Sequence, residues 1–205
     1  RLFIYSKMIF FDPIILTFLV FFLSYLFGSF PTGYVLTRLF LDIDIRDLGS
    51  GNVGSTNVLR AGSKIIAFIT LLLDILKGYI PVYLTIKFSN ELAYIAGISA
   101  FIGHIFPIWL KFKGGKGIAT FIGIISGISL ISGFVFILSW LLVAIVTKKS
   151  SIASLLSCLI ANIFVYVNYG PYLGLFVTCL YVLSIFMHKD NIERIIKGNE
   201  PKIKF

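Results

Sequence analysis

Continuous apolar runs separated by short polar breaks set the pattern of this chain. Runs such as Ile65–Leu73 and Phe134–Val146 lack the apolar/polar alternation of the ~10-residue strands that build a membrane barrel, and they predict helices instead. A helix needs ~20 mostly apolar residues to cross the hydrocarbon core. Seven such segments are predicted, over residues 9–37, 64–88, 91–110, 116–130, 132–147, 151–168 and 171–188. The fourth and fifth are short and joined only by a Gly/Ser connection, so one bent hairpin is the alternative for that pair. The first run, Ile9–Phe27, has the look of a signal-peptide core, but no small-residue cleavage site follows it and it reads as a span. Residue 1 is Arg rather than Met, which is compatible with numbering that starts inside a longer product. There is no internal repeat, low-complexity tract or second domain, so residues 1–205 are expected to form a single transmembrane domain.

Composition strengthens the membrane reading. The chain is 58% hydrophobic and 13% charged, with a mean hydropathy of +0.99, whereas soluble domains are ~45–50% apolar. The expected fold is an all-α integral membrane protein with seven transmembrane helices. Lys and Arg favour the cytoplasmic side of a membrane. Placing the loop 38–63 with the adjoining Lys64, the loop 111–116, the pair Lys148–Lys149 and the tail from Lys189 on one face gathers fourteen of the eighteen basic residues there. Arg1, Lys7 and Lys87 fall on the other face, and Lys77 falls inside a span. This arrangement puts the amino terminus outside and the carboxyl terminus in the cytoplasm, as an odd number of spans requires. The net charge of +9, concentrated on one face, would attract anionic headgroups or small phosphorylated substrates; the topology rule alone accounts for it equally well. Cys158 and Cys179 lie in apolar runs without CxxC spacing and read as small core residues.

The polar breaks carry the chemistry. Asp44–Arg60 contains Gly49, Gly51 and Gly54 among Ser50, Asn52, Ser55, Thr56 and Asn57. Glycines let backbone N–H groups approach an anion, and a helix start beyond them adds partial positive charge, which together make a phosphate cradle. Ser50, Thr56 and Asn57 supply side-chain hydrogen bonds and Arg60 a bidentate fork. Gly49–Thr56 has the outline of a nucleotide-binding P-loop, but it lacks the lysine and a preceding strand. A Gly/Asn-rich turn with helix caps is the plainer alternative. In Lys111–Gly117, Gly114 and Gly115 again expose backbone donors, and Lys116 is the candidate point charge for a phosphate. Lys111 and Lys113 read as interfacial anchors.

Beyond the last span, His188 and Asn191 share a helical face at i, i+3. A neutral imidazole there binds phosphate or accepts a proton, while an ordinary interfacial polar residue is the alternative. His188 and Glu193 only distantly imitate an HxxxxD acyltransferase motif, with Glu in place of Asp. Within the membrane, Asp74 and Lys77 are one turn apart and of opposite sign, which predicts a salt bridge facing the bundle interior and supporting the first loop. His104 is read as a ligand contact or, preferably, an interhelical hydrogen bond. Gly28–Gly33, with Pro31, should kink or break the first span.

Taken in order, Gly28–Gly33 (GSFPTG), Gly49–Asn57 (GSGNVGSTN), Asp74–Gly78 (DILKG), Gly103–Pro107 (GHIFP), Phe112–Gly117 (FKGGKG) and His188–Arg194 (HKDNIER) resemble the PlsY family of acyl-phosphate:glycerol-3-phosphate acyltransferases. Ser55 stands where the family usually has Ala. The resemblance implies a seven-helix bacterial inner-membrane protein whose site faces the cytoplasm. It also implies transfer of a fatty acyl group from acyl phosphate to the 1-hydroxyl of glycerol 3-phosphate. By motif match, Ser50, Arg60, Lys116, His188 and Asn191 would hold glycerol 3-phosphate, and Thr56, Asn57 and the first-loop glycines the acyl phosphate. An acyl phosphate is already activated, so alignment and charge stabilisation are the main requirements. A substrate phosphate oxygen is the expected proton acceptor, with His188 as the competitor. No cofactor, metal or nucleic-acid partner is expected. The rival class is a transporter for an anionic solute, which would place its polar groups near the bilayer midplane. A structural membrane subunit would leave the phosphate-binding chemistry unexplained, and a CDP-alcohol phosphotransferase would need an aspartate-rich motif absent from the nine acidic residues.

Overall fold

A computed structural model describes residues 12–203, and among these every regular element is helical. Residues 9–11 of the first predicted span, together with Arg1, Lys7 and Lys204, lie outside the described residues. The helices are α1 (Pro13–Ser29), α2 (Thr32–Leu41), α3 (Ser55–Arg60), α4 (Lys64–Thr85), α5 (Asn90–Ile105), α6 (Ile118–Ile128), α7 (Leu130–Thr147), α8 (Ser150–Tyr169), α9 (Pro171–Met187) and α10 (Lys189–Ile196).

Local chemistry explains most of the boundaries. The Asp12 carboxylate accepts from Ile14 N at 2.7 Å ahead of Pro13, a residue that tolerates the first turn because it has no N–H to satisfy. Pro31 interrupts the first span as expected, ending α1 and restarting the chain as α2. Side chains of Ser63, Ser89 and Ser129 cap α4, α5 and α7. Lys148 closes α7 in a left-handed conformation.

Five segments are long and apolar enough to cross a membrane: 13–41, 64–85, 90–110, 130–147 and 150–169. The pair α9–α10, bent by 62°, would make a sixth. All seven predicted segments contain a helix, but the fourth, α6, has 11 residues and at 1.5 Å per residue reaches about 16 Å, roughly half of a 30 Å hydrocarbon core. It does not fuse with the fifth; the two meet at Ser129, which ends one and caps the other.

Small residues decide which helices meet. α1 packs on α5, and α4 on both α5 and α6. A methyl group on Gly78 would run into the Thr120 carbonyl, and one on Gly123 into the Ile75 carbonyl, so only glycine permits the α4–α6 approach. α7 pairs with α8, and α8 with α9. Phe101, Phe121, Phe136, Ile124 and Ile125 fill the interior, while Phe18, Phe134, Val146 and Tyr172 face outward. α4 and α7 scarcely touch, and α6 packs on both from behind. That leaves a cleft with α6 as its back wall.

Candidate active site

The first loop is a prefolded object. Asp44 takes Arg46 at 2.6 Å and Arg38 at 3.0 Å, and the Arg46 guanidinium lies 4.8 Å from the Tyr34 ring centroid. These contacts hold the Asp44 carboxyl well below its usual range, with the Arg46 hydrogen bond as the main cause. At the loop's centre, Asn57 is buried; its amide donates to Ile45 O at 3.0 Å and Leu48 O at 2.8 Å and accepts from Ser50 N at 3.0 Å. Gly49 has φ +57, and a Cβ there would strike the Asn57 oxygen. Asn52 Oδ1 accepts from Gly54 N at 2.9 Å immediately before α3. Beneath the loop, Ile45, Val53 and Val58 pack against Leu110 from the second polar connection.

These bonds change several sequence assignments. The Gly51 N–H is engaged with Leu48 O, that of Gly54 with Asn52, and that of Ser50 with Asn57. Asn57, read above as a ligand donor, has both amide hydrogens and its oxygen committed within the loop. Its chemistry is construction of the cradle. The side chains of Ser50, Thr56 and Arg60 are among those the loop and α3 present to the cavity.

The second connection is corrected in the same way. Gly114 N donates to Ile105 O and Gly115 N to His104 O, both at 3.1 Å, because the segment folds back on the end of α5 and satisfies its last carbonyls. Neither glycine exposes a donor to the site. A methyl on Gly115 would overlap the His104 imidazole. The tight fold delivers Lys116, whose Nζ bonds Asn191 Oδ1. Burial lowers the Lys116 ammonium to about 8, with Arg194 and Arg60 adding to the effect and Glu200 opposing it.

His188 ends α9 and precedes α10, and it is buried. Its Nδ1 lies 2.7 Å from the Ser184 carbonyl, an acceptor, so Nδ1 carries the proton and Nε2 keeps its lone pair when the ring is neutral.

Glu200 lies six residues beyond the His188–Arg194 motif. Its buried carboxylate accepts from Ser151 Oγ at 2.7 Å, Asn191 Nδ2 at 2.7 Å and Arg194 Nε at 2.9 Å. Burial favours its neutral form, but these hydrogen bonds outweigh that and leave the carboxyl below its ordinary value. Orientation of the Asn191 amide follows from them: with Nδ2 turned to Glu200, Oδ1 faces Lys116. The tail is pinned once more where Ile203 N donates to Lys148 O at 2.7 Å. A carboxylate standing between Lys197 and Lys202 of the basic tail was the available signal.

Under the first loop, Asp74 bonds Thr32 Oγ1 and pairs with Lys77 at 2.7 Å, and Lys77 donates to Phe30 O at 3.1 Å. The expected ion pair thus spans the break between α1 and α2. The interhelical hydrogen bond expected of His104 is absent. Its Nδ1 sits 3.9 Å from Asp74 Oδ1 without a hydrogen-bond partner, because Lys77 and Thr32 already occupy that oxygen.

A cavity of about 530 Å³ joins these parts at one end of the bundle. Its polar lining includes Ser50, Asn52, Gly54, Thr56, Asn57 and Arg60 of the first loop and α3. Lys116, His188, Asn191 and Glu200 complete it, with Asp74 and His104 below. Gly49, Gly51, Gly114, Gly115 and Lys77 stand behind the lining. The remaining wall is apolar and belongs to α4, α6 and α7, including Leu71, Ile122, Phe136 and Trp140. No sequence motif marked that wall.

A cationic, hydroxyl-bearing mouth over a greasy chamber, inside a helical bundle with an apolar exterior, defines a membrane protein that handles an amphipathic anion. The family model described as "Glycerol-3-phosphate acyltransferase" matches residues 18–198. The glycerol-3-phosphate acyltransferase of Pelagibacter ubique is 47% identical over 182 residues, covering 88% of this chain and 94% of that protein. That of Bartonella henselae is 46% identical over 197 residues, covering 91% and 92%. The crystal structure of PlsY, an integral membrane glycerol 3-phosphate acyltransferase, in its glycerol 3-phosphate form superposes with a TM-score of 0.88 at 32% identity, covering 92% of this chain and 96% of that one. Its lysophosphatidic acid form gives 0.86 at 31% identity, covering 92% and 95%. The chain belongs to the glycerol-3-phosphate acyltransferase family, that of PlsY, and is a multi-span integral membrane protein.

Proposed function

We propose that this protein moves a fatty acyl group from acyl phosphate to the 1-hydroxyl of glycerol 3-phosphate, giving 1-acyl-glycerol 3-phosphate and inorganic phosphate. The observation that carries this reading is that one cavity is lined both by cationic and hydrogen-bonding side chains from three separate segments and by an apolar wall suited to an acyl chain. Ser50, Arg60, Lys116, His188 and Asn191 hold glycerol 3-phosphate; Thr56 and the first loop hold the acyl phosphate. Asn57, Gly49, Gly51, Gly114 and Gly115 act by shaping the two connections, and Asp74, Lys77 and His104 support them from below. The protein is a single domain of seven spans in the bacterial inner membrane, with its amino terminus outside and its site at the cytoplasmic face. The basic residues clustered on that face support this orientation. A carrier for an anionic solute fits less well, since these polar groups gather at one end of the bundle.

In the reaction, the glycerol hydroxyl oxygen attacks the acyl carbonyl carbon, and the bond from that carbon to the phosphate oxygen breaks. Phosphate departs with the electron pair, stabilised by Arg60 and Lys116. The hydroxyl proton passes to a phosphate oxygen. His188, whose Nδ1 is committed to the Ser184 carbonyl, is the competing acceptor through Nε2 and otherwise acts as a hydrogen-bonding group.

The test is turnover by purified protein given labelled glycerol 3-phosphate. Acyl phosphate should yield lysophosphatidic acid, acyl-CoA should not replace it, and Arg60→Ala should lose activity. Equal turnover with acyl-CoA would remove the donor assignment.

A further inference from the structure

Acyl transfer develops negative charge on the carbonyl oxygen as well as on the departing phosphate. When the glycerol hydroxyl attacks, the carbonyl π electrons move onto that oxygen; collapse of the oxyanion re-forms the C=O bond and expels phosphate. Such a transition state is stabilised by a hydrogen-bond donor aimed at the oxygen. The groups assigned above hold glycerol 3-phosphate or the phosphate of the donor, and the carbonyl oxygen is left without a partner.

One more side chain in the cavity wall has a donor to give. Ser154 on α8 lines the cavity and is only 5% exposed. Its Oγ accepts from Trp140 Nε1 of α7 at 3.2 Å. A helical serine commonly donates back to the carbonyl four residues earlier, as Ser99 does to Ile95 O at 2.6 Å and Ser184 to Leu180 O at 3.0 Å. Ser154 makes no such bond to Ser150, and among the described residues its hydroxyl hydrogen meets no acceptor. A buried donor left unpaired is costly, so an acceptor is expected from whatever fills the cavity.

Its place fits a carbonyl. Ser151, on the same face of α8 one turn earlier, donates to Glu200, and through Asn191 that carboxylate is linked to Lys116. Ser154, about 4.5 Å further along the helix axis, meets Trp140, which belongs with Phe136 to the apolar wall. Ser154 therefore stands where the polar lining gives way to the apolar one. An acyl phosphate has the same order, phosphate then carbonyl then alkyl chain, and its carbonyl lies at the junction. The Trp140 N–H polarises Oγ and makes the Ser154 O–H a stronger donor.

We propose, resting on the acyl-transfer reading above, that Ser154 is a further catalytic residue whose hydroxyl donates to the acyl carbonyl oxygen and to the oxyanion formed from it. Trp140 is its positioning residue. Ser154 keeps its proton throughout, and the glycerol hydroxyl proton passes to phosphate as before.

The experiment uses the full chain in nanodiscs of fixed lipid composition. Calorimetry compares the binding of two unreactive analogues: a long-chain β-ketophosphonate, in which methylene replaces the bridging oxygen and the carbonyl remains, and the alkylphosphonate of equal length, in which the carbonyl is a methylene too. The ratio of their Kd values isolates the carbonyl, and its change between proteins cancels partitioning and the folded fraction. Wild type should prefer the ketone, and Ser154→Ala should lose about fivefold of that preference, the worth of one neutral hydrogen bond. With acyl phosphate, Ser154→Ala should lower kcat at least about thirtyfold, as removal of an oxyanion donor does, while KM for glycerol 3-phosphate stays within about twofold. Ser154→Thr, which keeps the hydroxyl, should retain most of the activity, and Trp140→Phe should fall between the two. If Ser154→Ala does not fold, Ser154→Cys, near-isosteric and a weak donor, is held to the same criteria. An unchanged ketone preference, or a kcat within about threefold of wild type, would overturn the proposal. So would a loss confined to KM for glycerol 3-phosphate, which would place the hydroxyl on the acceptor substrate. If wild type gives no lysophosphatidic acid from acyl phosphate, the acyl-transfer reading itself fails, a result distinct from all of these.

Discussion

The Glu200 carboxylate offers the sharpest test of how the site is held together. In Glu200→Gln, one oxygen remains and can still accept from Ser151 and Asn191, but an NH₂ group replaces the oxygen that faces Arg194 Nε. Two donors then oppose each other. A hydrogen bond to a charged group contributes ~1.5–3 kcal/mol; the Arg194 side chain is 35% exposed, so water screens the pair and the lower end, about 1.5 kcal/mol, applies. Lys116 also loses the negative charge that opposes the lowering of its pKa. If the Asn191–Lys116 alignment depends on this carboxylate, the same 1.5 kcal/mol appears as a roughly tenfold fall in kcat/KM for glycerol 3-phosphate. The alkaline limb of the profile should move to lower pH. The assay is kcat/KM against pH from 6 to 9.5 with acyl phosphate saturating, alongside thermal melting of the same samples. Glu200→Asp, which keeps the charge, should keep the limb in place. A lowered melting temperature with an unmoved limb and kcat/KM within twofold of wild type would refute the reasoning and leave Glu200 as a tail fastener only.

Other outcomes follow from the same geometry. Lys116, held at about 8, is charged below that pH and neutral above it, so kcat/KM should fall as pH rises through 8; Lys116→Arg, charged throughout, should be slower but lack that limb, and an identical limb in both proteins would exclude Lys116 as its source. Asp74→Asn leaves the buried Lys77 without its counter-ion and should cost about 3–5 kcal/mol, seen as a lower melting temperature in detergent. Asp74→Asn combined with Lys77→Met should recover much of that loss, whereas additive losses would show that the pair is not coupled. Gly115→Ala drives a methyl into the His104 ring and should reduce kcat at least about tenfold through displacement of Lys116; His104→Ala in the same chain should restore part of it, and no rescue would place the clash elsewhere.

Several features were legible because they depend on neighbours in sequence. Pro31 breaks a helix wherever it stands, and the i, i+3 spacing of Asp74 and Lys77 brings them together in any helix. The convergence of the first loop, Lys116 and His188–Asn191 on one end followed from counting spans. The glycines misled for a definite reason. Whether the N–H groups of Gly114 and Gly115 are free depends on the carbonyls of Ile105 and His104, which meet them only once the segment folds back. Asn57 has the composition of a ligand donor and the connectivity of a keystone, and only the positions of Ile45, Leu48 and Ser50 separate the two. The apolar chamber was invisible because Leu71 and Ile122, which face a cavity, are chemically no different from residues that face lipid.

The knot of hydrogen bonds at Asn57 has a kinetic consequence. A loop already locked in shape has little left to organise when its partner arrives, so the entropic cost of ordering falls on folding rather than on each catalytic cycle. Encounter with glycerol 3-phosphate should then be a one-step collision whose rate tracks solvent viscosity and ionic strength. Loosening that knot would introduce a slow, concentration-independent phase before capture.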